Sequence, residues 1–539
     1  MPSIFGFQRL SRDDPLANAR SLRVWADGVA RNDPVAAVEQ IALLIRDEAS
    51  KPEGSAHRLE ALLELDRVAA PHLELLRTQY RQIAISDDLR QRLLQLCETI
   101  AKGFAQAWGQ YARNIETSET PVAARGLRHA VFARMFHHQG TLTRLGLFRY
   151  EQWIPGRWRA LHQAYRAARL RALALEPYAL LPARASEQSS AEQEYIAILL
   201  LQRLNSGNLT TPQIDWASEW VREWVAMLRL GPPPTDPVNG FWLDLGDAEG
   251  LTDRATKSPQ GEVLFLDMEP LRAQLKALIG RLMSQGVAGR LASDTEDALT
   301  LAKRVDRLWQ PQAPVLQRRG ERRAASNGAT VAVGWQEIVM ALQSRHARSV
   351  APPGYHYDDR GRLRNNSELR DLVGRRLEKF TWQIADSSDS GYRIRSSSRD
   401  ATRQWPGALL ALQVEDSPGW RLAVVRRLRR VGSDLTELGV EVISRNVSMV
   451  TPRDIESRDS GYSVDGVDVQ VTGTGFQAIY LPPQAHGRGQ SPASLVIPPP
   501  EFVLHRKLSL TVDGRVHSIV LASPLERSRD WVWTPLRSG

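Results

Sequence analysis

The residues Asp386-Ser387-Ser388-Asp389-Ser390-Gly391 place Asp386, Ser388 and Gly391 in the pattern D-x-S-x-x-G. Short polar side chains followed by a glycine can set a carboxylate and a hydroxyl beside a ligand while the backbone bends sharply. The bland alternative is a plain hairpin turn, for which Asp, Ser and Gly are ordinary material. A second group is cationic: Arg318, Arg319, Arg322 and Arg323 form two overlapping R-x-x-x-R pairs. Guanidinium is a planar fork that binds phosphate or a guanine edge bidentately, a geometry lysine cannot supply. Other R-x-x-x-R pairs occur at Arg360 and Arg364, Arg399 and Arg403, and Arg426 and Arg430. Arginine is so abundant that about seven such pairs arise from composition alone, so the spacing by itself decides nothing.

The elements that would position these residues follow from periodicity. From about Leu16 to Leu230 the apolar residues recur at helical spacing, as at Leu89, Leu93, Leu96, Cys97 and Ile100 behind Ser86, Asp87 and Asp88. Another helix opens at Thr211 and Pro212, carries Trp216, Trp220 and Trp224, and is stopped by Gly231 and the prolines after it. Residues 1–230 are therefore expected to form an all-helical domain. Residues 231–314 read as a small mixed α/β segment: strands at Phe241–Leu245 and Val263–Asp267, a helix at Leu271–Met283 and a connecting helix near Thr295–Trp309. Beyond the Arg-rich stretch Gln317–Arg323, strand patterns dominate, at Thr330–Val333, Phe380–Ile384, Ala408–Val414, Arg421–Leu428 and Leu438–Ile443. More follow from about residue 451, including Ala478–Leu481, Ser494–Ile497, Leu508–Val512 and Val516–Leu521, while Ser396–Asp400 reads as a flexible polar loop. The fold class is multidomain α+β with a β-barrel C-terminal half.

An arginine linker, a first strand, a D-x-S-x-x-G turn and then paired strands ending in Gly439-Val440-Glu441-Val442-Ile443 is an order that resembles the PilZ family of cyclic-di-GMP receptor domains. The resemblance covers about residues 315–450 and implies an antiparallel barrel. It implies that two arginines grip phosphate and guanine while Asp386 and Ser388 exchange hydrogen bonds with the ligand and Gly391 lets the chain turn. A linker before and a strand after favour Arg318 with Arg322, or Arg319 with Arg323; motif spacing alone would favour Arg360 and Arg364. The first choice leaves an insertion, Glu337 to Arg376, holding a short helix and the polar loop Gly354–Asn366. The implied function is a bacterial, cytoplasmic, non-enzymatic second-messenger effector. It would bind cyclic-di-GMP and signal through its helical domain to a protein partner. Residues 451–539 are then an additional β-rich region, with a second Asp-Ser-Gly-Tyr at Asp459–Tyr462 as a hairpin turn or degenerate second barrel that binds nothing.

The basic excess is 70 Lys plus Arg against 61 Asp plus Glu, a net charge of +9, and arginine supplies nearly all of it. That permits a nucleic-acid alternative centred on Arg125 to Arg171, where Phe148, Tyr150, Trp153, Trp158 and Tyr165 are interleaved with arginines, with the barrel as a ligand-free adaptor. The competing reading places those rings in a helical core. Cys97 is the single cysteine, which excludes an intrachain disulfide and a Cys-based zinc site. His129, His137 and His138 lack metal-ligand spacing, and no phosphate-binding loop or nucleophile elbow occurs, so no metal, cofactor or catalytic residue is expected. No signal peptide and no membrane span are expected, the longest apolar run being Ile196–Leu201.

Overall fold

The computed structural model describes residues 14–29, 33–49, 56–81, 87–117, 126–151, 153, 156–179, 188–204, 206–237, 239–255, 258–284, 291–311, 323–325, 327–350, 355–357, 363–365, 380–397, 404–415, 419–432, 434–455, 462–464, 467–469, 475–486, 489–512 and 514–538. They fall into two compact units, Met1–Val315 and Leu316–Gly539.

Helices α1 (Ala19–Asp27), α2 (Pro34–Ala49), α3 (Ala56–Arg81), α4 (Asp87–Thr117), α5 (Arg128–Phe148) and α6 (Gly156–Leu170) open the first unit. Strands β1 (Tyr178–Ala179) and β2 (Gln188–Ser189) pair before α7 (Ala191–Arg203) and α8 (Thr211–Trp224). The region expected to be all helical therefore contains one short antiparallel ladder. Tyr178 is fixed there by the Arg134 guanidinium, 5.2 Å over its ring, and by the edge of His129. Capping sets where helices begin: Ser190 with Gln193 and Thr210 with Gln213 form capping boxes at α7 and α8, each contributing about 1 kcal/mol. α8 stops at Trp224, short of Gly231, because a 3-10 turn at Val225–Met227 and a strand, β3 (Leu230–Gly231), take over.

Buried charge organises the helical core. Asp66 accepts from Trp108 Nε1 at 3.2 Å and from His138 Nε2 at 2.9 Å, and pairs with Arg134 at 3.4 Å. Burial by itself raises the Asp66 carboxyl pKa, but His138 and then Arg134 outweigh it and hold the group well below the carboxylate range. Burial lowers the pKa of His138, so it serves as a neutral donor through Nε2. His129 pairs with Glu176 and His137 with Glu194, each at 3.2 Å, so the three histidines have separate partners.

Strand β3 joins β4 (Gly240–Asp244) and β5 (Val263–Asp267) in a three-stranded antiparallel sheet, followed by α9 (Glu269–Ser284) and α10 (Leu291–Leu308). This mixed segment is anchored on the helices. Arg203 pairs with Asp253 at 2.7 Å, and the buried Trp309 indole donates to the Leu200 carbonyl.

The second unit opens with β6 (Arg323–Ala324), β7 (Gly328–Val333), α11 (Trp335–Val350) and a separate hairpin of β8 (Tyr355–Tyr357) with β9 (Leu363–Asn365). Then come β10 (Phe380–Ser388), β11 (Gly391–Ser397), β12 (Leu409–Val414), β13 (Trp420–Val431) and β14 (Leu435–Ser444). In the order β11-β14-β13-β12-β7-β10, with β10 pairing back onto β11, six antiparallel strands close a barrel, and β6 extends it beside β10. The expected loop at Ser396–Asp400 is corrected in part: Ser396 and Ser397 continue β11 opposite Thr436 and Leu435, and Ser396 is buried.

Alternation in the strands produces two cores. Leu410, Leu412, Val414, Ala423 and Val425 point into the barrel, while Leu409, Ala411, Leu422 and Val424 point out. The outer set meets Ile338 and Leu342 of α11 and Ile479, Val496 and Trp531 of the C-terminal sheet, which is why β12 reads as a nearly continuous apolar run. Each Leu, Ile or Val side chain among them contributes roughly 1.5–3 kcal/mol by leaving water. The C-terminal sheet runs Ser448–Val450, Ala478–Leu481, Ser494–Ile497, Val532–Ser538, Arg515–Leu521, Lys507–Val512 and Arg453–Asp454, with Glu526–Arg527 pairing onto Val532–Ser538. Polar bonds add to the joint. Trp531 Nε1 and Ser528 Oγ both donate to the Gly407 carbonyl at 2.9 Å, and Arg426 pairs with Glu441 and Glu526. Residues 459–461 of the second Asp-Ser-Gly-Tyr lie outside the described residues. Among the described residues no helix is long and apolar enough to cross a membrane.

Candidate functional site

The D-x-S-x-x-G residues form the end of β10, a two-residue turn at Asp389 and Ser390, and the start of β11, with Ser388 opposite Gly391. The hairpin turn and the candidate ligand turn are thus one object. Gly391 is required by proximity: a Cβ built there would lie 2.0 Å from the Val440 carbonyl oxygen of β14. Ser388 Oγ donates to the Gly391 carbonyl at 3.3 Å, which fixes the hydroxyl at the mouth of the turn.

A register shift between Ile384 and Asp386 brings Asp386 opposite Arg393, and the Arg393 Nε lies 2.8 Å from its carboxylate. Asp386 is 7% exposed and, like Gly391, is not part of the cavity wall. Its place is behind the turn, where it orders the hairpin.

That wall encloses about 420 Å³ and includes Arg323, Asn327, Ser387, Ser388, Asp389, Tyr392, Val414, Arg421 and Arg445. Arg323, the last of the four linker arginines, stands opposite Ser387 in the β6–β10 ladder, and Ala324 stands opposite Asp386. Arg318, Arg319 and Arg322 lie outside the described residues, as does Arg360. Arg364 belongs to β9, opposite His356 in the separate hairpin, a pairing that does not join the barrel sheet. Among the described residues, Arg323 of the linker set is the member of these candidate pairs that stands at the turn.

Arg421 and Arg445 were not evident as site residues in the sequence. Arg421 is the second residue of β13 and its guanidinium lies 5.6 Å over the Tyr392 ring; Arg445 follows β14 and donates to the Asp389 carbonyl at 2.8 Å. Burial, and then the charge of Arg445, push the Arg421 guanidinium below its ordinary pKa. The available signal was an arginine at the end of each of two strands that pair with each other. Barrel closure is what turns those ends toward the D-x-S-x-x-G turn.

The cavity wall combines Ser387 and Ser388, Tyr392 and three arginines, Arg323, Arg421 and Arg445, an arrangement suited to an anionic ligand. The cavity volume falls in the range of about 300–1,000 Å³ that holds small ligands. The Arg125–Arg171 region is different. Phe148, Tyr150, Trp158 and Tyr165 are buried, with Phe148 stacked on Tyr80, Trp158 against Trp153 and Tyr165 on Tyr195, while the half-buried Trp153 lies under the Arg157 guanidinium. Several of its cations are also paired, Arg149 with Glu98 and Glu151 and Arg169 with Glu262.

A closed six-stranded barrel with this turn on its rim defines a PilZ domain. Residues 362–448 match the family model described as cyclic-di-GMP receptor FimW, middle PilZ domain, and residues 20–235 match that described as cyclic-di-GMP receptor FimW, N-terminal domain. The two matches come in order and together span more than half of the chain, which belongs to that receptor family. The PilZ match contains the turn, Arg421 and Arg445, while Arg323 and β7 precede it. No curated protein and no solved structure matches the chain.

Proposed function

We propose that this protein is a non-enzymatic, cytoplasmic receptor that binds cyclic-di-GMP in the barrel cavity and passes the signal through its helical domain to a protein partner. The observation that carries the reading is the position of Arg323 opposite Ser387, on the wall of the same 420 Å³ cavity as Ser388. A cyclic dinucleotide offers two phosphodiesters to guanidinium forks and two guanines with donor and acceptor edges. Arg323 and the linker arginines before it grip phosphate and guanine, and Ser388 exchanges a hydrogen bond with the ligand. Asp386 accepts from guanine only by giving up part of its contact with Arg393; otherwise it acts by holding the hairpin.

The linker gives the reading its signalling step. A ligand that engages Arg323 and the arginines before it is coupled to whatever precedes the linker, by as much as its affinity differs between the arrangements of that segment. The test is isothermal titration with cyclic-di-GMP and, as control, GTP, beside a variant with Arg318, Arg319, Arg322 and Arg323 changed to Ala. Selective saturable binding that the variant loses supports the reading. Binding that the variant keeps moves the arginines to Arg360 and Arg364, and a folded wild type that binds nothing overturns it.

A further inference from the structure

Leu422 of β13 stands opposite Ser444, the last residue of β14, and Arg421 and Arg445 are the next residues outward from that pair, near enough that the charge of Arg445 acts on Arg421. Like charges held close across a sheet are destabilising. Here the repulsion has no evident internal relief. Among the described residues no carboxylate forms an ion pair with either arginine: Arg445 donates to a backbone carbonyl, that of Asp389, and Arg421 rests over the Tyr392 ring. Both line the cavity, and both belong to the barrel scaffold, whereas Arg323 arrives from the linker on β6.

We infer that Arg421 and Arg445 form a preformed anion seat that holds a phosphodiester of the ligand on the barrel side of the cavity, opposite the linker arginines. This rests on the reading of the cavity as a cyclic-di-GMP site and adds residues that the arginine and D-x-S-x-x-G motifs do not contain. The physical reason is complementarity. A dianionic ligand between two unneutralised guanidiniums relieves their repulsion and gains charge-assisted hydrogen bonds, the strongest kind available at a partly solvated surface. Recognition is then two-sided: the barrel arginines supply a seat and Arg323 approaches from β6.

The experiment is titration of the full-length protein with cyclic-di-GMP for the wild type, Arg421→Ala, Arg445→Ala and the double variant, at two salt concentrations. Each single change is expected to weaken binding about tenfold or more, the size of a lost hydrogen bond to a charged group. The dependence of log Kd on log salt should also become shallower, as for any loss of a phosphate-neutralising cation. The thermal midpoint of the ligand-free variants should stay equal to or above that of the wild type, since removing one charge ends the repulsion. A structural role would instead lower that midpoint and leave the salt dependence unchanged. Wild-type binding that both single variants retain within twofold overturns the seat alone; a wild type that does not bind overturns the seat and the receptor reading together.

Discussion

Arg323 and Ser387 stand opposite each other in a two-residue antiparallel ladder, so the last linker arginine and the candidate ligand turn share one edge of the barrel. They are 64 positions apart in sequence. A strand, a helix and a hairpin intervene, and β10 brings the two together by pairing with β7 over Phe380–Gln383 and with β6 at Asp386 and Ser387.

Gly391→Ala tests whether the turn depends on close approach. A methyl group 2.0 Å from the Val440 carbonyl forces β11 and β14 apart. The expected cost is about 1–3 kcal/mol, read as a lower denaturant midpoint, with loss of cyclic-di-GMP binding. A variant as stable as the wild type would show that the strands have room to separate.

Ser388→Ala separates ligand contact from folding. The hydroxyl makes one 3.3 Å bond within the turn, so stability should change by no more than about 1 kcal/mol. Affinity for cyclic-di-GMP should fall roughly five- to tenfold, the worth of about one hydrogen bond. Unchanged affinity would remove Ser388 from the site.

Asp386→Ala removes the buried partner of Arg393. That arginine's side chain is 41% exposed and can turn to water, so the stability cost should be about 1 kcal/mol. Arg393→Ala gives the complementary reading by titration. Tighter cyclic-di-GMP binding in that variant is the result expected if Asp386 accepts from guanine, and weaker binding the result expected if the ion pair only positions the hairpin.

The helical core should be acid-sensitive in two stages. His138 has its pKa lowered by burial, so the unfolded chain takes up its proton first and stability falls as pH drops below about 6.5. Asp66 has its pKa lowered by His138 and Arg134 against the effect of burial, so its contribution is present above about pH 4 and is lost as pH falls further. Thermal unfolding followed at 222 nm should show both declines in the wild type. His138→Gln should shrink the first, to which His162 and His72, also lowered by burial, contribute, and keep the second; an unchanged profile would assign the first stage elsewhere.

The two matched family models divide between what was legible early and what was not. The turn at Asp386–Gly391, the apolar strand patterns of β7, β12, β13 and β14, and the helical period before Gly231 depend on nearest neighbours and side-chain periodicity, which the sequence carries openly. From them came the class of fold, the order of its parts, the PilZ resemblance and the candidacy of Arg323 and Ser388. Composition likewise excluded a disulfide and a cysteine zinc site outright, because Cys97 has no second thiol to join. The pairing of strands far apart in the chain was not legible, and it decided the rest. Whether Tyr165 stacks in a core or on a base, whether Asp386 faces the cavity or Arg393, and whether Arg421 and Arg445 meet are all consequences of closure and burial. A local pattern fixes which way a side chain points along its own strand; only the assembled barrel fixes what stands opposite it, because register is set by the whole buried face at once.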